Sequence, residues 1–226
     1  MKSLTKEAQS KLTTRQAIQL LKDGNKRFLT NLKTHRNLLA QVNETSDGQF
    51  PLAVILSCID SRTSAELIFD QGLGDIFSVR VAGNVINEDI LGSMEFSCKL
   101  SGAKLIAVIG HTGCGAIRGA CDEVQLGNLT ALLKKIKPAI EYEKVASPDS
   151  TSSNREFQER VATRNVRIMM HQIIEKSPII CQMVKEGKLA IIGGMYNVDN
   201  GRVEFYDADM ITEDKVRALE DNFSSS

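Results

Sequence analysis

The run LAVILS, Leu52 to Ser57, most constrains what this chain can become. It is too continuous for a strand with one face in water, where polar and apolar residues alternate. It suits a parallel strand covered on both faces. A parallel strand needs a crossover to its neighbour, and the following residues supply one. Ser64 to Gln71 reads as a short helix, DIFSVRVAG (75–83) as a second strand, and Asn87 is placed to cap a helix running to about Leu100. AKLIAVIGH (103–111) is a third strand, and a further helix opens near Gly115. The pattern is βαβαβ.

The flanking segments extend it. Ala17, Leu20, Leu21, Gly24 and Phe28 mark one face of an N-terminal helix that Thr13 or Thr14 can cap, and the polar stretch QVNETSDGQF (41–50) then separates it from the core. LTALLKKIKPAIEYEK (129–144) is helical with an interruption expected at Pro138, SPDSTSSN (147–154) is a polar loop, and a long helix runs from about Asn154 to Lys176. Ser177 and Pro178 start another helix, closed by Gly187. LAIIGGMYNV (189–198) is a fourth strand, and the turn signal DNG (199–201) sends RVEFYD back antiparallel at the sheet edge. The expected fold is α/β: an open, mostly parallel sheet with helices on both faces and an antiparallel edge strand. We expect a single domain over 1–226, with 1–50 as a helical arm and linker and 51–226 as the core.

Charge excludes two partner classes. With 28 basic and 28 acidic side chains the formal net charge is zero, leaving no general electrostatic footprint for nucleic acid or an anionic membrane. The opening MKSLTKEAQSKLTTRQ has no apolar core of a secretory signal, and no apolar run reaches bilayer length. The expected location is cytoplasmic, with a small-molecule or protein partner. Five cysteines, an odd number, then read as reduced thiols rather than a disulfide framework. Cys98, Cys121 and Cys181 sit among apolar neighbours in helical stretches and read as small buried hydrophobes.

Cys58 and Cys114 are different, because each follows the end of a strand and has polar or glycine neighbours. In an open parallel sheet, ligands collect beyond the carboxyl ends of the strands where strand order reverses. If the first and third strands are neighbours, in a 2-1-3 order, Cys58 meets His111 and Cys114 across that point. Two thiols and one imidazole are the soft and borderline donors that zinc prefers. They leave one tetrahedral position for water, substrate or a further protein ligand, which favours an open, catalytic site over a closed structural one. His35, in a basic stretch, and His171, in a Met-rich helix, read as bystanders.

The pattern C-x-D-x-R followed by H-x-x-C, carried here by Cys58, Asp60, Arg62, His111 and Cys114, strongly resembles the β-class carbonic anhydrases. The likeness runs through AELIFDQGLGDIFSVRVAGN (65–84) and GSMEFSCKLSGAKLIAVIGHTGCGA (92–116). It implies a homodimer, or a higher assembly of dimers, with Cys58, His111 and Cys114 as zinc ligands. It also implies reversible hydration of carbon dioxide to bicarbonate and a proton, by attack of zinc-bound hydroxide. Asp60 and Arg62 become a gate: paired with Arg62, Asp60 is held off the metal; released, it closes the site. In a chain without the zinc motif the pair would be an ordinary surface turn. Two thiolates make the metal a weaker Lewis acid than three histidines do, so activity is expected to rise past about pH 7.

The same likeness points to Phe77, Ala82 and Phe96 as the apolar wall for carbon dioxide. Ala82 and Phe96 depart from the larger aliphatic residue or tyrosine found in many members. Gln49 matches a glutamine that reaches substrate from the neighbouring subunit, and the Gly115 amide is a bicarbonate donor at a helix start. Ile55 stands where relatives with a closed, bicarbonate-regulated site carry tryptophan, so the open state is expected here. Other readings are a zinc hydrolase of carbon disulfide or carbonyl sulfide, a noncatalytic phosphate or nucleotide binder using GHTGCG (110–115), and a redox sensor built on Cys58 and Cys114. The last two require neither Asp60 nor Arg62.

Overall fold

The computed structural model describes residues 3–145 and 150–217. Its sheet holds β1 (Ala53–Ser57), β2 (Ile76–Arg80), β3 (Leu105–His111), β4 (Ala190–Tyr196) and β5 (Val203–Phe205), in the order β2-β1-β3-β4-β5. The first four strands are parallel, and β5 pairs antiparallel with β4. The expected mostly parallel sheet with an antiparallel edge is therefore present, and β1 and β3 are neighbours. Every residue of β1 and β3 is buried, while the edge strand β2 alternates between covered and open positions.

Burial on both faces follows from two apolar clusters. Val54, Leu56, Ile106, Val108 and Ile191 point into one, and Ala53, Ile55, Leu105, Ala107 and Ile192 into the other. Each fully buried Val, Ile or Leu stabilises the fold by about 1.5–3 kcal/mol. The second cluster is closed by α2 (Thr14–Leu29), whose Ala17, Ile18 and Leu21 are buried. The N-terminal helix is thus part of the core rather than an arm preceding it. Thr13 is its cap, forming a reciprocal capping box with Gln16. Gly24 lets it cross close to the chain after α4 (Ala65–Ile68), since a Cβ there would meet the Phe69 carbonyl oxygen at 1.8 Å.

Two short helices escape the periodicity reading: α1 (Lys6–Lys11) and α3 (Leu38–Glu44). The second runs into the stretch expected to be a polar separator. Its Gln41 is buried and accepts a hydrogen bond from the Leu73 amide at 3.2 Å, a long-range contact that hydrophobic periodicity cannot report.

The first cluster lies under α5 (Glu88–Glu95), α6 (Gly115–Cys121), α7 (Gly127–Leu133), α8 (Lys137–Lys144), α9 (Arg155–Lys176) and α10 (Pro178–Lys185). Asn87 caps α5 through the Ile90 amide, and the helix runs on as a π-turn to Leu100. Pro138 opens α8 rather than breaking it, after a 3-10 turn at Lys134–Ile136. Asn154 caps α9 and Ser177 caps α10. Of the expected polar loop, residues 147–149 lie outside the described residues.

Candidate metal centre

Pairing of β1 with β3 sets Ser57 against Ile109, so Cys58 and His111 both project from the carboxyl ends of adjacent strands. Cys114 follows three residues later, as the residue before α6. The Cys58 and Cys114 sulfurs and a ring nitrogen of His111 all lie within 4.8 Å of one another, in a buried setting. The two sulfurs are 3.9 Å apart.

The donor set fits a metal ion, and the imidazole shows it best. His111 Nδ1 lies 3.0 Å from the Thr112 carbonyl oxygen, which accepts a hydrogen bond only if Nδ1 carries the proton. The lone pair then sits on Nε2, which is buried without a hydrogen-bond partner among the described residues. A buried acceptor left in that state is costly unless a cation takes it. The thiols agree. The Cys114 thiol donates toward Cys58 and, against burial, holds the Cys58 thiol well below its usual range, helped by the Gly83 amide. The shared proton and burial push Cys114 up. Two thiolates this close need a positive charge between them before both ionise.

Asp60 stands at the rim, its Oδ2 4.0 Å from His111 Nε2. Arg62 holds it by a two-pronged grip: Nε donates to Oδ1 at 2.9 Å and Nη2 to Oδ2 at 2.8 Å, while the Arg62 amide also donates to Oδ1 at 2.9 Å. The guanidinium keeps the Asp60 carboxyl well below the usual carboxylate range. Arg62 itself is exposed, so the grip sits at the surface.

Two residues that brace this turn were invisible to motif reading. Arg80 Nε donates to the Cys58 carbonyl at 3.0 Å and Nη2 to the Asp60 carbonyl at 2.6 Å. The buried Thr63 hydroxyl lies 3.0 and 2.8 Å from the same two oxygens. Together they clamp the backbone that carries the first sulfur and the carboxylate. The available signal for Arg80 was register, since it pairs across from Ser57 at the level ends of β1 and β2.

The residues expected to meet substrate are only partly assembled. Ala82 lies in a 3-10 turn (Ala82–Asn84) whose Gly83 amide donates to Cys58 Sγ at 3.4 Å, and exposed Gly115 begins α6. Phe77 and Phe96 meet edge-to-face at 6.2 Å, and both line an open groove of about 620 Å³. None of the three metal-ligating candidates lines that groove. Gln49 is exposed and lines a hollow with Thr45, Asp47 and Gly74, so this chain does not bring its own Gln49 to the cluster. Ile55 is fully buried in β1. Burial pushes the Cys98 thiol up to about 12 and the Cys121 thiol up to about 11, consistent with inert packing. His35 and His171 are exposed and outside the cluster.

A family model described as "Carbonic anhydrase" matches residues 53–203. Carbonic anhydrase 2 of Mycobacterium tuberculosis is 36% identical over 197 residues, covering 84% of this chain and 92% of that protein. The carbonic anhydrase of Mycolicibacterium smegmatis is 35% identical over 194 residues, covering 83% and 91%. Among solved structures, the β-carbonic anhydrase CafA of Aspergillus fumigatus matches in fold with a TM-score of 0.70 at 24% identity, over 80% of this chain and 86% of that one. The family match takes in β1 through β4 and all three convergent donors, and on it the chain belongs to the β-class carbonic anhydrases.

Proposed function

We propose that the chain performs its family's reaction, the reversible hydration of carbon dioxide to bicarbonate and a proton, at a zinc ion held by Cys58, His111 and Cys114. The observation that carries the reading is the convergence of two sulfurs and one imidazole whose Nε2 has no other partner. Bound there, zinc would supply Lewis acidity that makes water nucleophilic near neutral pH.

The chain's own residues do the rest. Asp60, kept ionised by Arg62, accepts a hydrogen bond from the reacting water and does not donate one, which turns the oxygen lone pair toward carbon dioxide. Arg62 sets whether Asp60 stands off the metal or swings onto it. Arg80 and Thr63 hold the turn against that motion. Among the described residues no further histidine joins the cluster as a relay, so the proton leaves to solvent or buffer.

Phe77, Ala82 and Phe96 form the apolar wall, completed by a second copy of the chain. Half-exposed Phe96 and the exposed Ile59, Leu67 and Leu100 support that dimer, because they leave apolar surface open in a single chain. In the dimer Gln49 reaches the neighbouring site, and the Gly115 amide meets bicarbonate. The location proposed is the cytoplasm: no helix among the described residues is long and apolar enough to cross a membrane, and the free thiols suit a reducing compartment.

The test is stopped-flow carbon dioxide hydration before and after chelation. Activity should vanish with the metal, return with zinc, and rise with pH past about 7. Full activity in metal-free protein would overturn the proposal.

A further inference from the structure

Asn165 is the anomaly of α9. It lies fully buried in the helix's apolar stripe, with Val161, Ala162, Val166 and Met169 around it in the sequence and all buried. A leucine would suit that stripe better, because an amide there loses water and must find partners. Asn165 finds one. Its Nδ2 donates to the Gly83 carbonyl at 2.9 Å, and its Oδ1 has none among the described residues.

Gly83 is the residue whose own N–H donates to Cys58 Sγ at 3.4 Å. It sits at φ 66°, ψ 17°, a left-handed conformation that glycine reaches without strain but does not hold by its own sterics. Something outside must hold it. The Asn84 amide donates to the Val81 carbonyl at 2.9 Å and closes the turn locally. Space is also tight: a Cβ on Gly83 would meet Ile136 Cδ1 at 2.9 Å and Ala116 Cβ at 3.2 Å. The polar anchor that reaches the Gly83 carbonyl from another element is Asn165, 82 residues away in the chain.

We infer that Asn165 is a positioning residue for the metal centre: by holding the Gly83 peptide it keeps the Gly83 N–H aimed at the Cys58 sulfur. An N–H donated to a ligating thiolate draws charge from it, which tunes both its grip on a cation and the charge it passes to that cation. The inference rests on the metal-centre reading above. It concerns how the first sulfur is tuned, not which atoms ligate.

The test uses the full chain loaded with cobalt(II), a probe for thiolate donation through its sulfur-to-metal charge-transfer band, and a chelator competition for zinc. Asn165→Leu fills the same space but cannot donate to Gly83. Its charge-transfer band should move to longer wavelength, and its zinc affinity should fall by roughly 10- to 100-fold, the usual cost of losing a hydrogen bond behind a metal ligand. Val161→Ala, on the same stripe, should lower stability yet leave band and affinity at wild-type values. If the leucine is not tolerated, Asn165→Ser, too short to reach the Gly83 carbonyl, should give the same two changes. A wild-type band and affinity in a folded Asn165 variant would overturn the inference. So would equal shifts in Val161→Ala, which would mark them as general loosening. Wild-type protein that takes up neither cobalt nor zinc would instead remove the metal-centre reading on which this one stands.

Discussion

Two buried charge-bearing clusters differ in what their acceptors are left facing. Around Asp70, just after α4, the carboxylate is covered and fully used: Arg27 Nε and Arg36 Nη1 reach its two oxygens at 2.5 Å, and the Thr34 amide and hydroxyl donate at 3.1 and 3.0 Å. Arg36 also donates to the Asp70 carbonyl. Around Cys58, the sulfurs face each other and the imidazole Nε2 faces no donor. The Asp70 carboxylate is complete without a ligand, and it ties residues 27–36 to the core, although Arg36 Nε is itself buried without a partner among the described residues. The second cluster is complete only with a cation. Neither burial of polar groups nor one unpartnered atom identifies a site; a buried lone pair that converges with two thiols does.

The largest effect that separates the two comes from the ligands. Cys58→Ser, His111→Ala or Cys114→Ser should each abolish zinc binding and bring activity to the uncatalysed background, read by metal analysis and stopped-flow hydration. Zinc retained at one ion per chain in any of them would remove that residue from the ligand set. Next comes Arg62→Ala, which frees Asp60 to close onto the metal. Activity should fall ~100-fold or more while zinc stays bound, in line with what an oriented acid–base group contributes. An unchanged rate would refute the gate.

Asp70→Asn should do the reverse and leave the bound metal alone. Breaking a buried ion pair by removing one partner costs about 3–5 kcal/mol, and urea unfolding of the zinc-loaded protein should show that loss with zinc content intact. The same cluster has a pH signature. Burial pushes the Asp70 carboxyl up, but the Arg27, Thr34 and Arg36 hydrogen bonds outweigh it and hold it at about 2. An unfolded carboxyl titrates near 3.9. The folded state therefore binds its proton later, so this stabilisation is full above about pH 4 and is lost as pH falls through about 2. The stability difference between wild type and Asp70→Asn should shrink across that window. A difference constant down to pH 2 would contradict the cluster's role. The smallest effect is expected at Cys181→Ser. That half-buried thiol lies outside both clusters, so stability should change by no more than about 0.5 kcal/mol and zinc content not at all.

The same contrast explains what could be read from residues alone. Apolar runs at Leu52–Ser57 and Leu105–Gly110 announced the covered parallel strands, because burial on both faces leaves no room for alternation. Cys58, Asp60 and Arg62 were legible as a site because they are close in sequence, and the second half of the site, His111 and Cys114, is equally local. Asp70, Arg27 and Arg36 form a cluster whose members are separated by more than thirty residues between the carboxylate and either cation, so no motif joins them. Arg80 and Thr63 escaped because their targets are backbone carbonyls, which carry no side-chain identity. Asn165 left a trace, a polar residue on an apolar helix stripe, but what it holds is a glycine peptide visible only in three dimensions. Gln49, Phe77 and Phe96 stand apart from the cluster within one chain, since the surface they share with it is proposed to come from a second copy.

Zinc-edge X-ray absorption on the purified wild-type protein tests the central claim most directly. The account predicts one zinc per chain with two sulfur neighbours at about 2.3 Å, one imidazole nitrogen at about 2.0–2.1 Å, and one light-atom ligand in the remaining position. Protein purified without zinc that cannot be loaded with it, or a shell with four sulfurs or with none, would contradict it.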